Sequence, residues 1–241
     1  ALRCIQDLER YLEDHHQYIA AFILEPLVQC ASGMGMYHSI YLAKARELCT
    51  QYHIHLIDDE IAVGFGRTGK MFAFEHANIK PDFICLSKGL TGGYLPLSAV
   101  LTTDNVYSAF YEDKIEKGFL HSHSYTGNPL ACSAALGTLN YFENHDVINQ
   151  NSKTSAYISE RMKTFSILPI SNLRNIGMIW AFDLEGVIKK TLKKISTKAI
   201  DRGLLIRPIG HTIYFMPPYI INHDEVDFMI DTAFEVIQSS I

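Results

Sequence analysis

The sequence predicts an α/β fold, a mostly parallel sheet with helices on both faces, plus a small carboxyl-terminal α+β domain. Two observations carry this prediction. Up to about residue 150, short continuous apolar runs alternate with stretches whose apolar residues recur at helical spacing, the pattern of a buried parallel sheet and its crossover helices. Beyond that point the strict alternation stops, and three strand-like runs share the segment with three helical ones. The expected domains are therefore 1–150, a sheet-bearing domain, and 151–241, a smaller one.

Each element has its own signal. "CIQDLERYLEDHH" places Ile5, Leu8 and Leu12 on one helical face. "YIAAFILEP" is an apolar run closed by a proline, which reads as a buried strand. "SIYLAKARELCTQY" reads as a helix, and "IHLID", "DFICLS" and "LPLSAVLTT" as further strands. Helices are expected at 104–111, 128–144 and 152–165. In the second part "IGMIWAFDL" reads as a strand and "KKTLKKISTKAIDRG" as a helix stopped by Gly203. "LLIRPI" and "TIYFMPP" read as strands, and "DEVDFMIDTAFEVIQSS" as a last helix with His223 or Asp224 near its start.

Composition narrows the function classes. The 241 residues are 48% hydrophobic and 20% charged, an ordinary globular balance. A net charge of -5 argues against a nucleic-acid partner. No apolar run approaches the roughly 20 residues that span a bilayer, so no membrane association is expected. The five cysteines are scattered and form no C-x-x-C pair. They read as buried free thiols in a reducing cytoplasm, with no metal site. The chain opens in what reads as the middle of a helix and without an initiator methionine, so a preceding region is expected.

"GFGRTGK" at 64–70 fits the G-x-x-x-x-G-K pattern of a phosphate-binding loop. That loop needs a hydroxyl after the lysine to hold magnesium, and the position is Met71. It also needs a strand running into the first glycine, whereas the apolar run ends near Ile57. A nucleotidase is disfavoured on both counts, and the upstream acids Asp58 and Asp59 need another explanation.

Ligands of open parallel sheets collect beyond the carboxyl ends of the strands. Asp59 follows "IHLID" there, and Lys88 follows "FICLS" and precedes the glycine-rich "GLTGGY". A lysine that condenses with a carbonyl must be partly desolvated or near positive charge, which a position between a buried strand and such a loop offers. A buried carboxylate can hold the proton on a pyridine nitrogen, the requirement of pyridoxal phosphate. From spacing alone, a solvent-facing loop lysine and turn-capping aspartates explain the same residues equally well.

The string "LIDDEIAVGFGRTGKMFAFEHANIKPDFICLSKGLTGGYLPLSAVL" closely resembles the signature of the class III pyridoxal-phosphate aminotransferases, which have the fold-type I architecture. "AAFILEPLVQCASGMGMY", "HSHSYTGNPLACSAAL" and "LLIRPIGHTIYFMPPYI" resemble further blocks of that family in the same order. The similarity covers nearly the whole chain. It is strongest to the biotin-pathway branch, which converts 8-amino-7-oxononanoate to 7,8-diaminononanoate with S-adenosylmethionine or lysine as amino donor. The resemblance implies pyridoxal 5'-phosphate as cofactor, Lys88 as the lysine that binds it covalently, and Asp59 as partner of its ring nitrogen. It implies Ile61 against the ring face, and Ser124 on the cofactor phosphate of the neighbouring subunit of a homodimer. Arg207 is the implied holder of the substrate carboxylate with Tyr214 beside it. Glu25 is implied near the ring, and Arg67 near the substrate pocket. The family's phosphate cup and ring-stacking tyrosine lie upstream of the strand ending at Glu25, so the chain is expected to lack the first part of the large domain. The alternatives that the resemblance leaves are another class III enzyme for ω-amino acids and an inactive truncated form.

For several single residues, plain packing or surface roles explain the sequence as well. Ile61 and Tyr214 fit simple core positions, Arg207 fits an ion pair within the fold, and the histidines of "HSHS" at 121–124 are too few to hold a metal.

Overall fold

The computed structural model describes residues 1–241. Its elements in chain order are α1 (Leu2–His15), β1 (Ala21–Leu24), β2 (Val28–Gln29), β3 (Gly35–Met36), α2 (Ser39–Gln51), β4 (His55–Asp59), β5 (Phe83–Leu86), β6 (Ala99–Thr102), α3 (Asp104–Ser108), α4 (Pro129–Asn144), α5 (Val147–Met162), β7 (Ile170–Ile176), β8 (Ile179–Leu184), α6 (Lys189–Asp201), β9 (Thr212–Phe215) and α7 (His223–Gln238). No helix is long and apolar enough to cross a membrane. The chain divides into two compact units: Ala1–Leu27 with Tyr37–Phe65 and Phe72–His145, and Val28–Met36 with Gly66–Met71 and Asp146–Ile241.

The first unit is built on a four-stranded sheet in the order β1-β4-β5-β6. β1–β4 and β4–β5 are parallel, with Leu24 opposite Asp58 and Asp59 opposite Cys85. β6 runs antiparallel to β5. The cause is the connection: between β5 and β6 there is only a 3-10 turn, Lys88–Thr91, and no crossover helix to return the chain in the same direction. α2 starts after His38, whose ring Nδ1 accepts the Ile40 N–H at 3.1 Å. Leu42, Ala45, Leu48 and Cys49 of α2 close a core with Leu12 of α1, Leu24 of β1 and Leu56 of β4. The helix expected at 104–111 is shorter, ending at Ser108.

The second unit is an antiparallel sheet, β7-β8-β9, packed with α5, α6 and α7. β8, "IWAFDL", is buried at five of its six positions and is the centre of the core. Phe165 and Phe182 pack with ring centres 5.2 Å apart, and the Trp180 Nε1–H donates to Ser159 Oγ at 3.0 Å, so this large ring is buried without an orphaned donor. α7 is capped by Asn222, one residue before the expected start. Asn222 Oδ1 accepts the Glu225 N–H at 3.0 Å, and Glu225 Oε2 accepts the Asn222 N–H at 2.9 Å.

Two strand expectations are corrected here. β7, "ISNLRNI", is a strand without the expected signal. It is an edge strand with mostly exposed or half-buried side chains, so it lacks the continuous apolar run that marks β8. Conversely, "LLIRPI" forms no strand. Its only pairing is a bridge, Ile209 with Thr212, and Pro208 has no N–H to extend a ladder. The thiols also depart from expectation. Cys49 is buried, Cys4 is exposed, and Cys30, Cys85 and Cys132 lie between; none forms a disulfide.

Candidate active site

Three parallel strand ends gather the chemistry of the first unit. The register puts Leu24 beside Asp58 and Asp59 beside Cys85. Glu25, Asp59 and Lys88 therefore leave the carboxyl ends of β1, β4 and β5 in neighbouring positions. This is the edge at which open α/β sheets bind ligands.

The pleat sorts the acids at the end of β4. Leu56 and Asp58 share the buried face, while Ile57 and Asp59 are half-buried on the other. Asp59 Oδ1 accepts the Ile61 N–H at 3.0 Å, a local turn that fixes the carboxylate at the strand end, and its other oxygen takes no hydrogen bond. Asp58 is fully buried and neither carboxylate oxygen has a partner. Burial first, then the charge of Glu60, pushes its pKa from 3.8 up to about 7. Arg46, whose charge opposes that shift, is committed to Asp82 at 2.7 Å. Glu60 is likewise buried. Its Oε1 accepts the Phe74 N–H at 3.0 Å, its Oε2 is unpartnered, and burial raises it from 4.5 to about 7. Asp59 thus sits between two acids whose pKa values burial raises to about 7.

Lys88 opens the 3-10 turn Lys88–Thr91 with φ 43, the left-handed region, which a non-glycine residue occupies only at a cost. Hydroxyls on both sides pin the turn. Ser87 Oγ donates to the Leu97 carbonyl at 2.7 Å, and Thr91 Oγ1 to the Leu95 carbonyl at 2.6 Å. Gly89 is required by packing, because a Cβ there would lie 2.9 Å from the Phe65 ring. The Lys88 side chain itself is exposed, so the desolvation expected for it is not supplied by the residues of this chain around it.

Glu25 and Ile61 are half-buried. The Glu25 carbonyl accepts the Tyr37 hydroxyl at 2.7 Å. Ser124 is exposed in the turn just before α4, whose first N–H groups are capped by Asn128 Oδ1 at 3.0 and 3.2 Å. The segment 64–70 lies in turns and leads into a 3-10 turn, Ala73–Ala77, not into an α-helix. It therefore lacks the helix N-terminus a phosphate-binding loop uses.

In the second unit Arg67 is half-buried. Its Nη1 donates to the Pro217 carbonyl at 2.6 Å, and its guanidinium lies 4.4 Å from the centre of the Tyr219 ring. No carboxylate pairs with it, and desolvation lowers its pKa. Arg207 is exposed in the extended stretch before β9 and makes no ion pair, so it is not a salt-bridge residue of this chain. Tyr214 is half-buried on β9, opposite Ala181. Sequence reasoning passes over Glu60 and Tyr219. Only the double proline before Tyr219 hints at a fixed exit from β9.

Residues 1–237 match the family model described as Aminotransferase class-III. The chain is 49% identical over 238 residues to the adenosylmethionine-8-amino-7-oxononanoate aminotransferase of Helicobacter pylori, covering 95% of this chain and 54% of that protein. It is 39% identical over 241 residues to the protein of the same name from Geobacter sulfurreducens, covering 95% of this chain and 53% of that relative. The crystal structure of adenosylmethionine-8-amino-7-oxononanoate aminotransferase from Methanocaldococcus jannaschii superposes with a TM-score of 0.93 at 33% identity, covering 98% of this chain and 57% of that one. A Bacillus anthracis aminotransferase superposes with a TM-score of 0.92 at 28% identity, covering 98% and 56%. The chain spans about half the length of the relatives it matches.

Proposed function

We propose, for a chain that belongs to the class III aminotransferase family, that the whole protein is a pyridoxal-phosphate-dependent enzyme converting 8-amino-7-oxononanoate to 7,8-diaminononanoate in biotin synthesis. The observation that carries this reading is the placement of Asp59 and Lys88 at the ends of adjacent parallel strands. The names of the relatives support the substrate and favour S-adenosylmethionine over lysine as donor. Structural likeness alone does not separate this enzyme from amine transaminases, one of which superposes with a TM-score of 0.91. The "RPIGHTIYFMPPY" block supports the biotin branch.

The residues fit the cofactor. Asp59 has one oxygen fixed by Ile61 and another without a hydrogen bond, as an acceptor for a ring N–H requires. Lys88 is held in a strained, doubly pinned turn on the next strand. When bound, pyridoxal phosphate supplies the electron sink that stabilises a carbanion beside the reacting nitrogen.

The chain's own residues supply the rest. Lys88 Nζ would hold the cofactor and, as a free amine, would carry a proton from the substrate carbon, as base and then as acid. Asp59 keeps the ring nitrogen protonated by charge and hydrogen bond. Its neighbours Asp58 and Glu60, whose pKa values burial raises to about 7, carry less than their full negative charge near neutrality. Ile61 would pack against the ring, and Glu25 would border it. Arg207, unpaired and exposed, takes the substrate carboxylate, with Tyr214 and Arg67 lining the same pocket. Ser124 holds the phosphate of the neighbouring subunit's cofactor in a homodimer. The exposed side chains of Tyr94, Tyr111, Phe119, Leu120, Tyr125 and Leu130 support such a partner. The first unit then belongs to the large cofactor-binding domain, residues 151–241 form the small domain, and the enzyme works in the cytoplasm.

The test is a donor screen on the whole protein loaded with pyridoxal phosphate. With 8-amino-7-oxononanoate and S-adenosylmethionine, mass spectrometry should detect 7,8-diaminononanoate. Product with lysine instead would reassign the donor. Turnover only of ω-amino acids would move the protein to another branch of the family.

A further inference from the structure

We propose that Tyr219, together with the Pro217 carbonyl, is a positioning residue that sets the direction of the Arg67 guanidinium, a second fork for the substrate carboxylate in addition to that of Arg207. The inference rests on the reading of Arg67 as a substrate-pocket residue and goes beyond it.

Arg67 is held at both ends of its length. At the backbone, its carbonyl accepts the Met178 N–H at 2.8 Å. This approach depends on Gly177, where a Cβ would collide with the Arg67 carbonyl oxygen and where φ is 53. At the tip, Nη1 donates to the Pro217 carbonyl at 2.6 Å, and the Tyr219 ring centre lies 4.4 Å from the guanidinium carbon. Pro217 is buried and is followed by Pro218, so the carbonyl and the ring leave β9 on a stretch with two fixed φ angles.

The chemistry of this clamp is one-sided. A half-buried guanidinium has lost part of its hydration, yet none of its contacts is an acid. A neutral carbonyl and a ring face hold the cation in place without neutralising it. Of the five N–H donors of an arginine, one is committed to Pro217. The remaining donors are a preformed fork for an anionic group, and the ring restricts the rotations that would blur it. An arginine that only held the fold together in so dry a place would be paired with a carboxylate. The Tyr219 hydroxyl is not required by this scheme; the ring is.

The experiment compares Arg67→Ala, Tyr219→Phe, Tyr219→Leu and Tyr219→Met in the whole protein. It reads KM and kcat for 8-amino-7-oxononanoate, and calorimetric affinity for nonanoate, which offers the carboxylate and chain without the reacting groups. Tyr219→Phe should stay within about twofold of the parent, because the ring is kept. Tyr219→Leu and Tyr219→Met should raise KM and weaken nonanoate binding by about tenfold, with a smaller change in kcat. On an Arg67→Ala background they should add nothing. Two non-aromatic replacements are used so that one that fails to fold leaves the other. If neither folds while Tyr219→Phe is normal, the ring is a core residue and the proposal is overturned. If Arg67→Ala weakens binding but the Tyr219 variants do not, positioning is wrong while the substrate role of Arg67 stands. If Arg67→Ala changes neither KM nor nonanoate affinity, the substrate role itself fails.

Discussion

The end of β4 and the centre of β8 are both buried strand segments, and they are built by opposite rules. Around Trp180, Phe182 and Ile213 in the second unit the side chains are apolar, and the one indole donor is satisfied by Ser159. Around Asp59 in the first unit, the flanking positions bury Asp58 without any partner and Glu60 with half of its carboxylate unsatisfied. The left-handed backbone at Lys88 lies on the adjacent strand end. Buried unpartnered acids and backbone strain both oppose folding. Their concentration at one strand edge separates a region arranged for chemistry from one arranged for packing.

The largest expected effect breaks the first region without touching the fold. Lys88→Ala should abolish transamination and the visible absorbance of lysine-bound cofactor in the whole protein, with thermal unfolding of the cofactor-free protein little changed because the side chain is exposed. Turnover retained in that variant would remove the chemical half of the comparison. The second effect breaks the packing region. Trp180→Ala, at 1% exposure, should cost about 3–5 kcal/mol in denaturant unfolding. A cost of less than about 1 kcal/mol would show that β8 is not the centre of that core.

A third prediction sharpens the contrast by pH. The folded-state pKa values of Asp58 and Glu60 lie above their ordinary 3.8 and 4.5, at about 7. Between those limits the folded state holds protons that the unfolded chain has released. Stability is therefore greatest at the acid end of the window, falls as pH rises, and levels off above about 7. The slope is on the order of 1 kcal/mol per pH unit for each group. Asp58→Asn should remove one group's share of that slope, read as urea unfolding between about pH 4 and 7. An unchanged slope would mean that Asp58 ionises normally in the folded state. The smallest effect concerns α7. Asn222→Ala removes the acceptor of the Glu225 N–H and should cost about 1 kcal/mol, measured as a lowered unfolding midpoint.

Much of the fold is legible because periodicity reports burial. β1, β4, β5 and β8 are short and apolar, and α1, α2 and α7 carry clear helical faces. What escapes depends on partners distant in sequence. β7 is a strand because β8 lies beside it, despite its polar residues, and "LLIRPI" is not a strand because it gains no ladder beyond one bridge. The direction of β6 follows from a missing crossover helix, which strand propensity does not encode. The site divides in the same way. Asp59 and Lys88 are visible from strand ends and from the family resemblance. The burial of Asp58 and Glu60, the left-handed turn at Lys88 and the ring over Arg67 arise from tertiary placement and leave no mark in a single sequence.

The central claim is that Lys88 is the residue that holds pyridoxal phosphate. The whole protein, loaded with the cofactor, treated with borohydride to fix it in place and digested, can be read by peptide mass spectrometry. The account predicts a single cofactor-modified peptide, carrying the addition at Lys88. Modification at another lysine, such as Lys70, with Lys88 unmodified would contradict it.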